Sequence, residues 1–251
     1  MQNLDIIESM LQDSMGLSAA ESIGSAAIIT AVKQRMAVLA LDGESEYLHL
    51  LRESSIEFNA LVERVALSIS ESWFFRNPKL FQALRHFLLD EWLPNNATEV
   101  LRVLSLPCST GEEPYTIAML LVELGIPKER LHIDAVDISE QHLVVARQAV
   151  YGNNSFRGDD LSYRDRYFTH MSGRYVLTDK IKSMVNFTQG NLLEPDFASS
   201  REPYDVVLCR NLMVYFDAPT REKAVNAVNQ LVTRKGVLWC QGKKRPHGVY
   251  S

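Results

Sequence analysis

Two adjacent glutamates lie in residues 108–115, whose sequence CSTGEEPY contains residue types suited to both ligand binding and helix capping. The apolar run 100–106 precedes this stretch, and residues 116–124 carry apolar side chains at helical spacing. This order predicts a strand, a tight turn and a helix. Since the crevice at the carboxyl end of such a strand is the usual ligand site of an open parallel sheet, we expect a ligand near Glu112 and Glu113.

The charge of these glutamates limits the chemistry of that ligand. A dinucleotide places its pyrophosphate on a helix N-terminus and needs several glycines there, but this turn contains only Gly111. A glutamate about 5 Å from an anion would repel it by roughly 3 kcal/mol at an effective dielectric of about 20. S-adenosylmethionine carries a sulfonium, an ammonium and no phosphate, so it satisfies this limit. Capping explains the turn equally well, since Ser109-x-x-Glu112 and Thr110-x-x-Glu113 are both capping boxes.

An acidic residue stands at the end of the next predicted strand. Asp137 follows the run 131–136 and lies about 25 residues after Glu112, which is the region where nucleotide-binding folds place a carboxylate on the ribose hydroxyls. The alternative is a capping role for the helix that opens after Ser139. We expect the ribose role for Asp137.

Polar residues also follow two later predicted strands. Asn191 offers an amide that can donate to and accept from an adenine edge, and Leu192 can cover the face of the ring. Arg210 and Asn211 appear abruptly after the apolar run 204–209. In a parallel sheet these positions face one crevice.

Composition excludes several classes of protein. The chain has 251 residues, 46% of them hydrophobic, with a net charge of −5, three cysteines and six histidines. It shows no basic stripe of the kind that nucleic-acid-binding proteins have and no apolar run long enough to span a membrane, and we expect no secretory signal sequence. The histidines show no metal-ligand spacing, so we predict no metal. Sparse, unpaired cysteines suit a reducing compartment, and we expect a cytoplasmic monomer without membrane insertion.

The hydrophobic pattern changes near residue 95. Before it the spacing predicts only helices, at about 3–14, 18–40, 44–52, 54–67 and 78–92. After it strands at 100–106, 131–136, 185–189, 204–209 and 236–240 alternate with helices at 112–124, 139–150 and 218–233. This organisation predicts a helical domain over 1–93 and an α/β domain with a mostly parallel sheet over 94–251. The long interval before 185 predicts an inserted subdomain at about 163–184.

Four motifs together resemble those of the CheR-type chemoreceptor glutamate methyltransferases. They are residues 72–76 (SWFFR), 108–115 (CSTGEEPY), 191–194 (NLLE) and 209–216 (CRNLMVYF). The resemblance runs in order from about residue 10 to 240. It implies an all-α N-terminal domain joined to a class I, Rossmann-like methyltransferase domain with an inserted β-subdomain. It also implies S-adenosylmethionine as cofactor, S-adenosylhomocysteine as product and the cytoplasmic helical region of a chemoreceptor as partner.

The resemblance further implies roles for individual residues. Ser70, Ser72 and Arg76 reach the cofactor from the interdomain segment, with Arg76 on the methionine carboxylate. Glu112 becomes a cofactor-binding residue, which leaves Glu113 as the helix cap. The other site residues are assigned to parts of the pocket: Asp137 to the ribose, Asn191 and Leu192 to the adenine side, Arg210 and Asn211 to the pocket edge, and catalytic Tyr215 to the reacting centre.

The expected reaction needs little acid–base chemistry, because a substrate glutamate with a pKa of about 4.3 is ionised at neutral pH. Tyr215 would orient that carboxylate. The turn 169–174 is shorter than in relatives that dock on a receptor's C-terminal pentapeptide, which predicts methylation without such a tether. The chain after 239 departs from the family pattern, and we expect the final antiparallel strands to be missing or diverged.

Two other functions stay open from the sequence. One is a non-catalytic signalling module that binds S-adenosylmethionine or the receptor. The other is a small-molecule methyltransferase that uses the helical domain as a lid, which would require a closed substrate pocket.

Overall fold

The computed structural model describes residues 2–16, 24–69, 71–240 and 243–246. Its helices are α1 (Gln2–Met15), α2 (Gly24–Val38), α3 (Glu44–Glu53), α4 (Ser55–Ile69), α5 (Pro78–His86), α6 (Leu93–Asn95), α7 (Glu112–Glu123), α8 (Glu140–Gln148), α9 (Ser162–Tyr167), α10 (Asp179–Lys182) and α11 (Ala218–Gln230). A π-helical turn, Phe87–Trp92, joins α5 to α6. The predicted helical character of the first part of the chain is confirmed, although the start of the predicted helix 18–40 lies outside the described residues.

The strands form two sheets. They are β1 (Leu101–Leu106), β2 (Leu131–Asp137), β3 (Val150–Tyr151), β4 (Phe168–Met171), β5 (Arg174–Leu177), β6 (Val185–Gln189), β7 (Tyr204–Cys209), β8 (Val232–Cys240) and β9 (Lys243–Pro246). The large sheet has the order β6-β2-β1-β7-β8-β9. Its first five strands run parallel, which confirms the predicted mostly parallel α/β fold.

The far edge of the large sheet lies in the region where we expected the final antiparallel strands to be missing or diverged. An antiparallel strand is present there, since β9 pairs with β8 from Cys240↔Lys243 to Val237↔Pro246. The strand β8 also begins at Val232 rather than at 236. Pairing with β9 satisfies the hydrogen-bonding groups on the outer edge of β8 that would otherwise be open.

A buried ion pair lies within the helical region. The Arg35 guanidinium donates from Nε and Nη2 to the two carboxylate oxygens of Glu57, at 2.9 and 2.6 Å. Tyr47 donates its hydroxyl to the same carboxylate at 2.9 Å. Burial, together with this hydrogen bond, raises the pKa of Tyr47. The contacts join α2, α3 and α4 without touching the large sheet.

The small sheet has the order β3-β5-β4 and begins before the predicted insertion at 163–184. Phe74, from the segment before α5, packs among its aromatic side chains. The Phe74 ring lies 4.9 Å from Tyr151, 5.2 Å from Phe156 and 5.0 Å from Phe168, measured between ring centroids. Such aromatic contacts anchor the segment between the helical region and the large sheet to the small sheet.

Within the described ranges, no helix combines the length and apolar character that crossing a membrane requires.

Candidate functional site

A cavity of about 410 Å³ lies at the carboxyl ends of β1, β2, β6 and β7, within the size range of small-molecule sites. Met15 of α1 and residues of the segment before α5 close its other side. The predicted site residues that line this cavity are Ser72, Arg76, Asp137, Asn191, Leu192, Arg210, Asn211 and Tyr215. Ser70 lies outside the described residues.

The turn between β1 and α7 requires a glycine. Gly111 has a φ of +95°, and a Cβ there would meet the Ala146 Cβ at 3.0 Å and the Tyr151 hydroxyl at 3.1 Å. The Tyr151 hydroxyl donates to the carbonyl of Thr110 at 2.8 Å. Close packing against α8 and the small sheet therefore fixes the turn.

The two glutamates of this turn lie in positions other than those expected for them. Glu112 is buried and does not line the cavity; its carboxylate accepts from the Thr110 hydroxyl at 2.7 Å and the Ser155 hydroxyl at 2.9 Å. Glu113 lines the cavity and accepts from the Ser105 hydroxyl at 2.8 Å. The expected contact of Glu112 with the cofactor is thus not supported by its position, and Glu113 is not a helix cap.

Glu113 also forms a buried ion pair. Arg210 donates from Nη1 to the Glu113 carboxylate at 3.0 Å, and the two side chains are 7% and 15% exposed. Burial raises the pKa of Glu113, while Arg210 opposes that shift. The pair leaves the Arg210 Nε buried without a hydrogen-bond partner in the part of the chain that the structure describes.

Asp137 is held at the end of β2 by three donors. Its carboxylate accepts from the Ser109 N–H at 2.7 Å and the Ser139 N–H at 3.0 Å, and it pairs with the His142 Nδ1 at 3.2 Å. Since a carboxylate has about four acceptor positions, it can still accept from a ligand hydroxyl. The side chain that caps α8 is Ser139, which accepts from the His142 N–H at 3.2 Å.

The helical region reaches this point through Glu63 of α4. The Glu63 carboxylate accepts from the Ser139 hydroxyl at 2.6 Å and the Glu140 N–H at 2.6 Å, so it binds the N-terminus of α8 directly beside Asp137. Glu63 was not predicted from the sequence. Nothing local marks it, because its partners lie far along the chain.

Asn191 joins α1 to the loop after β6. Its amide donates to the Ser14 carbonyl at 2.8 Å and accepts from the Leu193 N–H at 3.0 Å. The predicted adenine contact would have to share this amide with α1. Leu192, only 4% exposed, lies on the cavity wall beside it.

The remaining predicted residues line the cavity from the loop after β7 and from the segment before α5. Tyr215 belongs to a 3₁₀ turn, Met213–Tyr215, that follows β7, and Asn211 adopts a φ of 56° just before this turn. Arg76 lies with its guanidinium carbon 4.3 Å from the centroid of the Trp73 ring. Trp73 and Glu71, which also line the cavity, were not predicted.

Cys108 lines the cavity but is not a reactive thiol. The residue is 1% exposed, and burial raises the pKa of its thiol well above the usual value. The nearby Asp137 carboxylate adds to this shift. The thiol therefore stays protonated, which excludes it as a nucleophile at neutral pH.

A mostly parallel sheet with a cavity at its strand ends is typical of nucleotide-cofactor folds, and a cavity wall that combines carboxylates with arginines suits a zwitterionic cofactor. Residues 70–243 match the family model described as the CheR methyltransferase, SAM-binding domain. The chain belongs to this family, and its cofactor is S-adenosylmethionine.

Curated relatives carry names from the same family. The chain is 42% identical over 235 residues to the "probable biofilm formation methyltransferase WspC" of Pseudomonas aeruginosa, which covers 94% of this chain and 55% of that protein. It is 32% identical over 230 residues to "chemotaxis protein methyltransferase 2" of the same organism, covering 89% of this chain and 79% of that protein. A "chemotaxis protein methyltransferase 2" of Vibrio cholerae is 33% identical over 189 residues, covering 74% of this chain and 65% of that protein. The chain thus spans about half the length of the WspC relative.

The cavity residues fit this cofactor chemically. Asp137 offers a buried acceptor for hydroxyl groups, and Leu192 offers an apolar surface for a ring. The unpartnered Nε of Arg210 is a buried cationic donor suited to an acceptor such as a carboxylate.

Proposed function

We propose that this chain transfers methyl groups from S-adenosylmethionine to glutamate side chains in the cytoplasmic helical region of a chemoreceptor, forming glutamate methyl esters. The names of the chemotaxis relatives support the substrate class. The observation that carries the proposal is the cavity itself, which Asp137, Arg210 and Tyr215 line from the strand ends and Arg76 lines from the segment before α5.

The cofactor supplies an electrophilic methyl group on a sulfonium when it is bound. Asp137 would hold the ribose hydroxyls, and Arg76 or Arg210 the carboxylate of the methionine part. Leu192 would cover one face of the adenine. These residues act by fixing position, because their own hydrogen bonds already hold most of them in place.

The substrate carboxylate needs orientation rather than deprotonation. A glutamate side chain is ionised at neutral pH, so no general base is required. Tyr215 lies on the cavity wall within the loop that follows β7, and its hydroxyl can donate to one carboxylate oxygen. Alignment and exclusion of water then supply most of the acceleration.

We further propose that methylation proceeds without a pentapeptide tether. The strands β4 and β5 are joined by Ser172 and Gly173 alone, with φ values of 49° and 76°. Positive φ values at both central residues are typical of a tight two-residue hairpin turn. A turn this tight contains no extended loop that could enclose a bound peptide.

Transfer of labelled methyl from S-adenosylmethionine to purified receptor cytoplasmic domains tests the proposal. We expect label in the receptor that alkali releases as methanol, since esters hydrolyse in alkali while methylated amines do not. Cofactor binding without transfer to any receptor would favour a non-catalytic module, and transfer only to small molecules would favour the other alternative. Tight calorimetric binding of receptor-tail pentapeptides would contradict the tether-free mode.

A further inference from the structure

An arginine outside the cavity is bound to its rim. Arg157 lies in the loop between β3 and α9 and donates from Nη1 to the Glu71 carboxylate at 2.6 Å. Glu71 itself lines the cavity. The two side chains are 44% and 59% exposed, so this ion pair stands at the solvent side of the site.

Two guanidinium groups each lie against the same aromatic ring at this rim. The guanidinium carbons of Arg76 and Arg157 lie 4.3 and 4.5 Å from the centroid of the Trp73 ring. Arg76 also donates to the Glu71 backbone carbonyl. Since an aromatic ring attracts cations, Trp73 helps to hold both positive charges at the rim.

The Glu71 carboxylate is the group that satisfies Arg157 in this arrangement. Arg157 has one further hydrogen bond, from Nε to the Asn154 carbonyl at 3.1 Å. An exposed ion pair of this kind contributes little to the stability of a fold and is readily exchanged for another partner. A carboxylate from outside can therefore replace that of Glu71 at small cost.

We infer that Arg157 is a specificity-determining residue that binds a second carboxylate of the substrate, one that flanks the methyl-accepting glutamate. Glu71 occupies Arg157 in the free protein and gives way when an acidic helix approaches. Trp73 keeps the arginine at the rim in both states. This inference rests on the proposed function, since it names the feature of the substrate that the same cavity selects.

Peptide binding tests the inference without requiring methyl transfer. The probes are a helical peptide with glutamates along one face and the same peptide with glutamines in their place. Binding is followed by the change in tryptophan emission, which reports on Trp73 because Trp92 and Trp239 are only 4% and 1% exposed and lie outside the cavity lining. We expect Arg157→Ala to weaken binding of the glutamate peptide by about fivefold. Glu71→Gln should strengthen it, because the charge that competes for Arg157 is gone.

The control is a second arginine, Arg166, which also contacts a carboxylate and an aromatic ring but lies outside the cavity lining. Arg166 pairs with Glu123 at 2.9 Å and lies 5.7 Å from the centroid of the Tyr167 ring, away from the cavity lining. Arg166→Ala should leave peptide binding unchanged, and Arg157→Lys should restore part of the affinity. Equal weakening of both peptides by Arg157→Ala, or no effect of either Arg157→Ala or Glu71→Gln, would overturn the inference.

Methylation kinetics separate this inference from the proposed function. On a receptor domain that the chain methylates, Arg157→Ala should raise KM by about fivefold with kcat unchanged, and only where acidic residues flank the accepting glutamate. If no receptor is methylated by the native chain, the proposed function fails, while the ranking of the two peptides still decides the role of Arg157.

Discussion

The two sides of the cavity are built differently. On the strand-end side, Asp137 and Arg210 are 4% and 8% exposed and are held by bonds from several elements. On the opposite side, Glu71 is 59% exposed and Arg157 44% exposed. Buried groups with several partners are costly to move, whereas exposed pairs exchange readily. Asp137 and Arg210 are therefore the fixed part of the proposed cofactor site, and the exposed Glu71–Arg157 pair is the part proposed to contact the substrate.

The largest effect should follow from breaking the buried pair of the strand-end side. Arg210→Ala leaves the Glu113 carboxylate buried without its cation, which should lower the free energy of unfolding by about 3 kcal/mol. Urea denaturation measures this loss. Adding Glu113→Gln to Arg210→Ala should recover much of it, because the unpaired charge is then absent.

The pH dependence of the same variant sharpens the test. Burial already raises the pKa of Glu113, and loss of Arg210 removes the largest of the contributions that oppose that shift. A carboxyl whose pKa is higher in the folded state than in the unfolded state loses stability as pH rises through the folded value. The loss of unfolding free energy caused by Arg210→Ala should therefore become smaller as pH falls. A deficit independent of pH would contradict this account.

A second buried pair separates stability from cofactor binding. Arg35 and Glu57 lie in the helical region, with side chains 23% and 8% exposed, and do not line the cavity. We expect Glu57→Gln to lower the free energy of unfolding while leaving cofactor affinity unchanged. Arg210→Ala should lower both the free energy of unfolding and the affinity for the cofactor. If Glu57→Gln weakened cofactor binding as much as Arg210→Ala does, the distinction between a pair that only stabilises the fold and a pair that also supports the cofactor site would be wrong.

Cofactor affinity should respond next most strongly at the end of β2. Asp137→Ala removes the proposed acceptor for the ribose and should raise the Kd for S-adenosylhomocysteine about thirtyfold, as expected for a hydrogen bond to a charged group. Isothermal titration calorimetry measures this change. Asp134→Asn is the control on the same strand, since Asp134 accepts from the Tyr204 hydroxyl at 2.7 Å outside the cavity lining.

The difference between the two sides also explains what the sequence could predict. Asp137 and Arg210 were predicted because parallel strands bring their carboxyl ends to one edge, so position along the chain gives position in space. The roles of Glu112 and Glu113 could not be assigned in this way. Adjacent helical residues point in different directions, and the packing of α7 decides which one faces the cavity. Glu63 and Arg157 act on partners distant in sequence, so no local pattern marks them.

The loop after β7 offers a test that separates turnover from binding. Tyr215→Phe removes one hydroxyl and keeps the ring, so the proposed orientation of the substrate carboxylate is lost while packing is retained. We expect kcat to fall about tenfold, the loss typical of one hydrogen bond to a charged group. Cofactor Kd should stay within twofold of the native value. Unchanged turnover in the labelled-methyl assay would remove Tyr215 from the catalytic role.

The smallest effect should arise where the helical region meets the cofactor side. The Glu63 carboxylate binds the N-terminus of α8 through Ser139 and Glu140, and the Ser139 N–H in turn donates to Asp137. Glu63→Gln keeps an acceptor but removes a charge that the helix N-terminus favours, an interaction of about 0.3–1 kcal/mol. We therefore expect cofactor Kd to rise about threefold, and the rise to diminish at high salt.

A matched variant tests whether this effect passes through Asp137. Glu44 lies in the first turn of α3, so Glu44→Gln changes the charge at a helix N-terminus remote from α8. It should leave cofactor affinity unchanged. In an Asp137→Ala background, Glu63→Gln should raise the cofactor Kd by a smaller factor than it does in the native chain, because the effects of substitutions within one hydrogen-bond network are not additive. Full additivity would mean that Glu63 stabilises α8 alone, and that the helical region contributes to this wall only by packing.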